Sequence, residues 1–425
     1  MYGRKLVWSV AALSIAACGE TEEPFEIPEP PPTGYQLLMP AVEIAPGEDI
    51  EFCTYFNLDD KAFHDANGQP FLLKDLITNG FDPTAEEIAI GKIEVRGAPG
   101  LHHIQILAME NDLEDIDDRH IFECAVDLFG GPLTGDVDPL FFTSLNNYAV
   151  EYPEGVARVL KRVQNRDDET QTRGTQLLYN FHYLNTTTEP ITAEVVVNLH
   201  VVPRETVEHP VRSAWWNYIY FEAEPDKVSR VEAKGSFLVD VNLVGMTSHL
   251  HEMGRRFTYA IDDELVYDDK NWAEPEYKRF DDGTVLAKDN PIEFTCEWYN
   301  SAATPRYFGL QADDEMCTAI VEYYPVDEAE AEALLEQQRM DAEMNGGGGP
   351  FRGDIVTLER FLGFPEELIQ EISERPEDAF EILDSDIICG IAFNLKQMER
   401  QYGSSPEILT SLQGLLEFLE EPCRL

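Results

Sequence analysis

Between Tyr35 and about Arg204, apolar and polar residues alternate in short runs bounded by turn residues. A period of two is the pattern of β-strands with one buried face. Val42-Glu43-Ile44 leads through a Pro46-Gly47 turn into Ile50, Phe52 and Thr54, and Gln176 to Leu184 and Ala193 to Val202 are rich in β-branched and aromatic residues. Helical signals are slight in this stretch: a turn near Thr84 and a piece over Val156 to Val163. A second block of strands is predicted over Trp215–Phe221, Gly235–Met246, Arg256–Ile261, Ile292–Tyr299 and Thr318–Tyr324. Strands at this density, over two stretches of roughly 130–170 residues, predict an all-β fold of two tandem antiparallel β-sandwich domains. We place them at 35–205 and 206–326.

After Pro325 the period changes. Asp327 to Met344 is a run of helix formers, and Gly346 to Pro350 interrupts it. Ser405-Pro406-Glu407 then offers an N-cap and a first-turn proline, with Ile408, Leu412, Leu415 and Leu419 on one face. Residues 327–425 are read as a helical C-terminal extension whose leucine face is core.

The N-terminus sets the expected compartment. Arg4 and Lys5 precede an apolar stretch from Leu6 to Ala17, too short to span a bilayer and of signal-peptide length. It ends in Ile15-Ala16-Ala17-Cys18, a bacterial lipobox pattern. Residues 1–17 are therefore read as a lipoprotein signal peptide and Cys18 as the lipidated residue, with an ordinary cleaved signal peptide as the alternative. Residues 18–34 form a Pro-rich tether with too little apolar content to pack. Gly19 after the cysteine favours the outer membrane. Contact with the membrane is expected only through this lipid anchor.

Charge narrows the partners further. The chain has 425 residues, with 31 basic against 81 acidic side chains and a formal net charge of −50. Such a surface disfavours nucleic acid and anionic membranes. Besides Cys18 there are six cysteines, Cys53, Cys124, Cys296, Cys317, Cys389 and Cys423. An even number in an exported chain suggests three disulfides, in a pairing the sequence leaves open.

The chemistry lies in the histidines. Of nine, five fall in three short motifs: His102-His103, His182, and His249-Leu250-His251. Met316, in Asp314-Glu315-Met316-Cys317, adds a thioether. Imidazole suits copper, zinc, iron and nickel, whereas a thioether favours soft Cu(I). Three imidazoles would make one centre, and two imidazoles with a methionine the other, so copper is the natural reading. His249 and His251, two apart on a strand, would point the same way. Adjacent His102 and His103 would face opposite sides unless a bulge or strand end turns them, and Pro99-Gly100 supplies an irregularity. His200, also on an apolar strand, competes with His182. His64, His120 and His209 read as surface residues.

The order and surroundings of these residues resemble the copper type II, ascorbate-dependent monooxygenases, the family of peptidylglycine alpha-hydroxylating monooxygenase and dopamine beta-monooxygenase. Asn180-Phe181-His182-Tyr183-Leu184-Asn185 is similar to the family's xVHYxN strand, and His249 to Arg255 to its HxHxxGR. Cys296-Glu297-Trp298-Tyr299-Asn300-Ser301 resembles its CxYNS, a hairpin's length before Glu315-Met316-Cys317. The resemblance spans roughly residues 35–326 and implies two jelly-roll domains. It favours His182 over His200 and implies Cys296–Cys317 and Cys53–Cys124 disulfides, which leaves Cys389 with Cys423.

The implied activity is hydroxylation of a substrate C–H bond using dioxygen and ascorbate or another one-electron reductant, with two copper ions per chain. His102, His103 and His182 would hold the copper that passes an electron; His249, His251 and Met316 would hold the one that meets dioxygen and substrate. The alternatives are a non-catalytic copper-binding surface lipoprotein, used for capture or handover, and an adhesion or polymer-binding module. Peptide-amidating members carry an arginine two residues before HxH, and an asparagine and a tyrosine two and four after the methionine. Those positions hold Thr247, Thr318 and Ile320 here. Without that grip on a terminal carboxylate, a small-molecule substrate other than a glycine-extended peptide is expected.

Overall fold

The computed structural model describes residues 25–39, 41–58, 62–64, 70–72, 82, 85–109, 122–123, 137–163, 174–218, 221–309 and 314–344. The fold is all-β, with one α-helix among the described residues. The first sandwich is built from β1 (Gly34–Leu38), β2 (Asp49–Asn57), β3 (Glu87–Gly97), β4 (Leu101–Met109), β5 (Val137–Thr143), β6 (in two pieces, Asn147–Glu151 and Val156–Lys161), β7 (Gln176–Leu184) and β8 (Val195–Val202). Its sheets run β1-β8-β3-β6 and β2-β7-β4-β5. The second is built from β9 (Arg212–Asn217), β10 (Val228–Gly235), β11 (Val241–His249), β12 (Gly254–Ile261), β13 (Glu264–Asp269), β14 (Lys278–Leu286), β15 (Ile292–Tyr299) and β16 (Thr318–Pro325). Its sheets run β9-β16-β11-β14 and β10-β15-β12-β13. Both sandwiches therefore have the same connectivity, 1-8-3-6 over 2-7-4-5, which is the eight-stranded jelly roll.

Each jelly roll has its own core. The first gathers Tyr35, Leu37, Ile90, Ile93, Ile104, Tyr179 and Leu199. The second gathers Trp216, Phe237, Leu243, Phe257, Phe294, Trp298 and Tyr323. The two are packed together. On β16, Ala319, Val321 and Tyr323 face inward, while Thr318, Ile320 and Glu322, which alternate with them, are buried as well. Tyr324 and Val244 join the first sandwich's core. Phe142 of β5 meets Trp215 of β9 edge-on, with ring centroids 5.8 Å apart, and His209 stacks on Tyr324 at 4.5 Å. An outer sheet face that should be polar is thus covered, which explains the nearly unbroken apolar reading of Thr318 to Tyr324.

Within this contact lies a buried polar lock. Arg158 of β6, 1% exposed, donates from Nη2 to Glu322 Oε1 at 3.0 Å and from Nη1 to the carbonyl of Val211 at 3.2 Å. The Tyr152 hydroxyl donates to the same Glu322 oxygen at 3.0 Å, and Tyr277 donates to the other. Arg158 also reaches Ser213 Oγ.

One sequence expectation changes. Val156 to Val163, read as helical, is a strand over Val156–Lys161, because Arg158 and Val159 take their places in the ladder opposite Ile90 and Ala89 of β3. The turn expected near Thr84 precedes a strand beginning at Glu87, and Thr84 itself lies outside the described residues. The helix α1 (Glu328–Met344) forms as expected, capped by Asp327, whose carboxylate accepts the amides of Ala329 and Glu330 at 2.9 and 3.2 Å. Its Ala331 joins the second core, and Arg212 of β9 pairs with Glu328 and Glu332. The remainder of the proposed helical extension lies outside the described residues, as do Cys18, Cys124, Cys389, Cys423 and the proposed tether up to Pro24. Cys296 and Cys317 are disulfide-bonded, with Cα atoms 5.8 Å apart. Cys53 is disulfide-bonded too.

Candidate metal centre

Local strand pairing solves the problem of the adjacent histidines. β7 pairs with β4 through His182 opposite His103, and then the register shifts so that Tyr183 faces Leu101. His102 is the extra residue of a β-bulge, and a bulge re-aims side chains that a regular strand would send to opposite faces. His102 Nδ1 consequently lies 3.0 Å from His182 Nδ1. All three imidazoles offer nitrogens within 4.8 Å of one another.

His249 is the last residue of β11, opposite Thr318 of β16. His251 is not on the strand, as the two-residue spacing suggested, but in the turn that follows. There its carbonyl accepts the Gly254 amide at 2.9 Å. Its Nδ1–H donates to the carbonyl of Asp314 at 3.3 Å, which leaves Nε2 as the free lone pair. The two histidine sets come together across the sandwich contact. His249 lies with its ring centroid 5.2 Å from His103, 5.7 Å from His102 and 5.1 Å from His251. Phe142 sits 5.0 Å from His249 and 5.7 Å from His103, and Trp272 is 5.8 Å from His102. His200 is elsewhere, on β8, with Nε2 2.6 Å from Glu94.

Met316 is half-buried and joined to the cluster through backbone contacts. Glu315, fully buried, accepts the amides of His251 (3.2 Å) and Met316 (3.1 Å) on one oxygen and that of Met253 (2.8 Å) on the other. The indole N–H of Trp298 donates to the Met316 carbonyl at 3.2 Å. The next residue, Cys317, is bonded to Cys296. Glu315 thus joins the His251 turn to the Met316 segment. Burial pushes its carboxyl up to about 8 against the pull of the amides. Sequence reading overlooked this role, although Glu315 sits inside a motif singled out there.

Two more carboxylates went unread. Asp49 and Glu51 alternate on β2, beside His182 in the sheet. Asp49 Oδ1 is hydrogen-bonded to His182 Nε2. Glu51 accepts from Asn180 Nδ2 at 2.6 Å and lies 3.8 Å from His103 Nε2. Burial alone would raise the Glu51 carboxyl, but the contacts with His103, His182 and Asn180 pull it below its usual value.

The five histidines are at most 8% exposed. Six ring nitrogens, His102 Nε2, both of His103, both of His249 and His251 Nε2, are buried without a hydrogen-bond partner. Orphaned buried polar atoms are costly and rare in native proteins. Their convergence fits a metal, whose ligation would satisfy several at once. The 3.0 Å between His102 and His182 nitrogens is close to the roughly 3.3 Å edge of a tetrahedron with metal–nitrogen bonds of about 2.0 Å.

Burial, then the neighbouring imidazoles, holds His102 and His249 well below the ordinary value of 6.5 and His251 down to about 3. In metal-free protein these side chains stay neutral while the unfolded chain takes up protons near 6.5. Their depressed folded values therefore cost stability as pH falls from about 6.5 towards 3. Acid also relieves repulsion among the many carboxylates, so the effect is read as a difference. Between pH 7 and pH 5, metal-free native protein should lose more in urea-unfolding midpoint than a His249→Leu/His251→Leu variant. Equal changes in both would contradict it.

Compared with known proteins, the chain matches no family model and no curated protein sequence. Among solved structures it is similar to the major capsid protein P2 of bacteriophage PM2, at 8% identity and a TM-score of 0.26, covering 69% of this chain and 98% of that one. It is also similar to the capsid of the virus PBCV-1, at 7% identity and a TM-score of 0.17, covering 68% and 94%. A third is the VP2 protein of infectious bursal disease virus, at 10% identity and a TM-score of 0.15, covering 84% and 94%.

Proposed function

We propose that the chain is a copper-dependent monooxygenase, hydroxylating a C–H bond of a small molecule with dioxygen and a one-electron reductant such as ascorbate. The observation that carries the reading is the convergence of five buried imidazoles, six of whose ring nitrogens lack partners, from two sandwiches. The motif order His102-His103, His182, His249-Leu250-His251 and Met316 supports it, as does the resemblance built on it. His102, His103 and His182 would hold one ion; His249, His251 and Met316 would hold the second. Bound there, copper supplies one-electron transfer and dioxygen activation. The protein's residues position and shield. The bulge at His102 aims two neighbouring imidazoles at one point, Glu315 fixes the Met316 segment against His251, and Phe142 and Trp272 wall the cluster with apolar rings.

The substrate grip of the peptide-amidating members has no counterpart in these positions. Thr318 is buried with Oγ1 bonded to Asn217 at 2.6 Å, and Ile320 and Thr247 are also buried. Glycine-extended peptides are not expected to be hydroxylated at ordinary concentrations. We further propose that the protein is exported and anchored to the outer membrane through Cys18.

The test is copper loading, ascorbate and oxygen uptake with candidate substrates. Native protein should bind two coppers and consume oxygen with product formation, and Met316→His should keep copper but lose nearly all uptake. Fewer than two coppers would sink the reading. Two coppers without uptake, and no effect of Met316→His on any measured property, would favour copper capture instead.

A further inference from the structure

We infer that Asp49 is a positioning residue of the His102/His103/His182 centre and biases that centre, relative to the His249/His251 centre, towards the oxidised ion. The inference rests on the copper reading above and deepens it. A carboxylate only accepts, so its hydrogen bond with His182 Nε2 places the ring proton on that nitrogen. The lone pair is then on Nδ1, the atom 3.0 Å from His102 Nδ1. Asp49 therefore selects the tautomer and turns the ligating nitrogen inward. An outer carboxylate on a ligand imidazole also makes it a stronger donor, which favours the more highly charged ion.

The other centre is built differently. His251 Nδ1 meets a neutral backbone carbonyl, that of Asp314, and no carboxylate is hydrogen-bonded to the His249 or His251 rings among the described residues. The asymmetry comes from the fold. β2 pairs along the whole of β7, with Leu184 opposite Asp49 and His182 opposite Glu51, so its acidic residues at alternate positions line the edge of the three-histidine centre. Glu51, bonded to Asn180 and near His103, adds a second negative group at the same centre. With copper bound, this difference would favour passing an electron from the first centre to the second.

Three variants separate orientation from charge. Asp49→Ala removes both, Asp49→Asn retains an acceptor but no charge, and Glu94→Ala removes the comparable His200 partner on another sheet. In metal-free protein, nitrogen NMR should show His182 as the Nε2-protonated tautomer, and Asp49→Ala should lose that preference. With copper, competition against a chelator should show Cu(II) affinity at the three-histidine centre about ten- to a hundredfold weaker in Asp49→Ala, with a smaller loss in Asp49→Asn. A redox titration followed by electron paramagnetic resonance should show the potential of that centre raised in both variants and that of the other unchanged. Glu94→Ala should match native protein throughout. An Nδ1-protonated His182 in native protein, or unchanged affinity and potential in Asp49→Ala, would overturn the inference. Failure of native protein to bind copper at these histidines would overturn the copper reading, while the tautomer would still decide whether Asp49 orients His182.

Discussion

Replacing Glu322 by alanine is expected to destabilise the protein by about 3–5 kcal/mol, the range for removing one partner of a buried ion pair. Glu322 is 4% exposed, and its two oxygens take hydrogen bonds from Arg158, Tyr152 and Tyr277. Without it, the Arg158 guanidinium stays charged, because arginine does not deprotonate in proteins. It would keep its hydrogen bonds to Val211 and Ser213 and the longer Tyr152 contact of 3.4 Å but lose its buried counter-charge. Since Arg158 and Tyr152 belong to the first sandwich and Glu322 and Tyr277 to the second, the loss should fall on their docking. Urea unfolding followed by two probes should become non-coincident in Glu322→Ala, with coincident transitions in native protein. The pair Arg158→Met with Glu322→Leu should recover most of the stability, because well-packed apolar residues replace a buried pair at little cost. A loss below about 1 kcal/mol in Glu322→Ala, the scale of exposed pairs, would show that water reaches the lock.

Cys296→Ser with Cys317→Ser should be the next largest change. The bridge spans a sequence separation of 21, and chain-entropy reasoning assigns such a loop roughly 3 kcal/mol. Its local effect is more informative. Cys317 follows Met316, and Trp298, two residues beyond Cys296, donates to the Met316 carbonyl. The bridge and that hydrogen bond hold one short segment from both sides. A thioether ligand contributes only when held in place. Copper affinity should therefore fall more at His249/His251/Met316 than at His102/His103/His182, as read by separate spectroscopic titration of the two centres. Equal losses would mean that the bridge acts on global stability alone.

Much of the fold was legible because strand alternation survives wherever one face is buried. Gln176–Leu184, Ile292–Tyr299 and Thr318–Pro325 were all visible as strands. Strands lined with charge were not. Val228–Gly235 and Lys278–Leu286 carry Arg230, Glu232, Lys278 and Arg279 on solvent-facing or edge positions and lack a clear apolar side. The predicted strand over Gly235–Met246 merged the end of one strand with the start of another. In the candidate site the histidines were legible by type and order, and the need for an irregularity at His102-His103 was too. The bulge itself was not, because it depends on how β7 pairs with β4, and pairing register is a tertiary property. Asp49 and Glu51 went unread because nothing in the sequence sets them apart from the chain's many other acids. Only the ladder with β7 reveals that they face imidazoles.

The repeated connectivity of the two jelly rolls has a consequence for how such a site can arise. The first sandwich docks through its β5 and β6 edge, where Phe142, Tyr152 and Arg158 lie. The second docks through the outer face of β9-β16-β11-β14, where Trp215, His249 and Glu322 lie. The contact is heterologous: like folds meet through unlike surfaces. Two copies of either half, related by a twofold axis, would set edge against edge or face against face, and neither arrangement brings the His102 bulge to the His249 turn. The five-histidine cluster is therefore a property of the covalent tandem, and each half, expressed alone, holds an incomplete donor set that self-association would not complete.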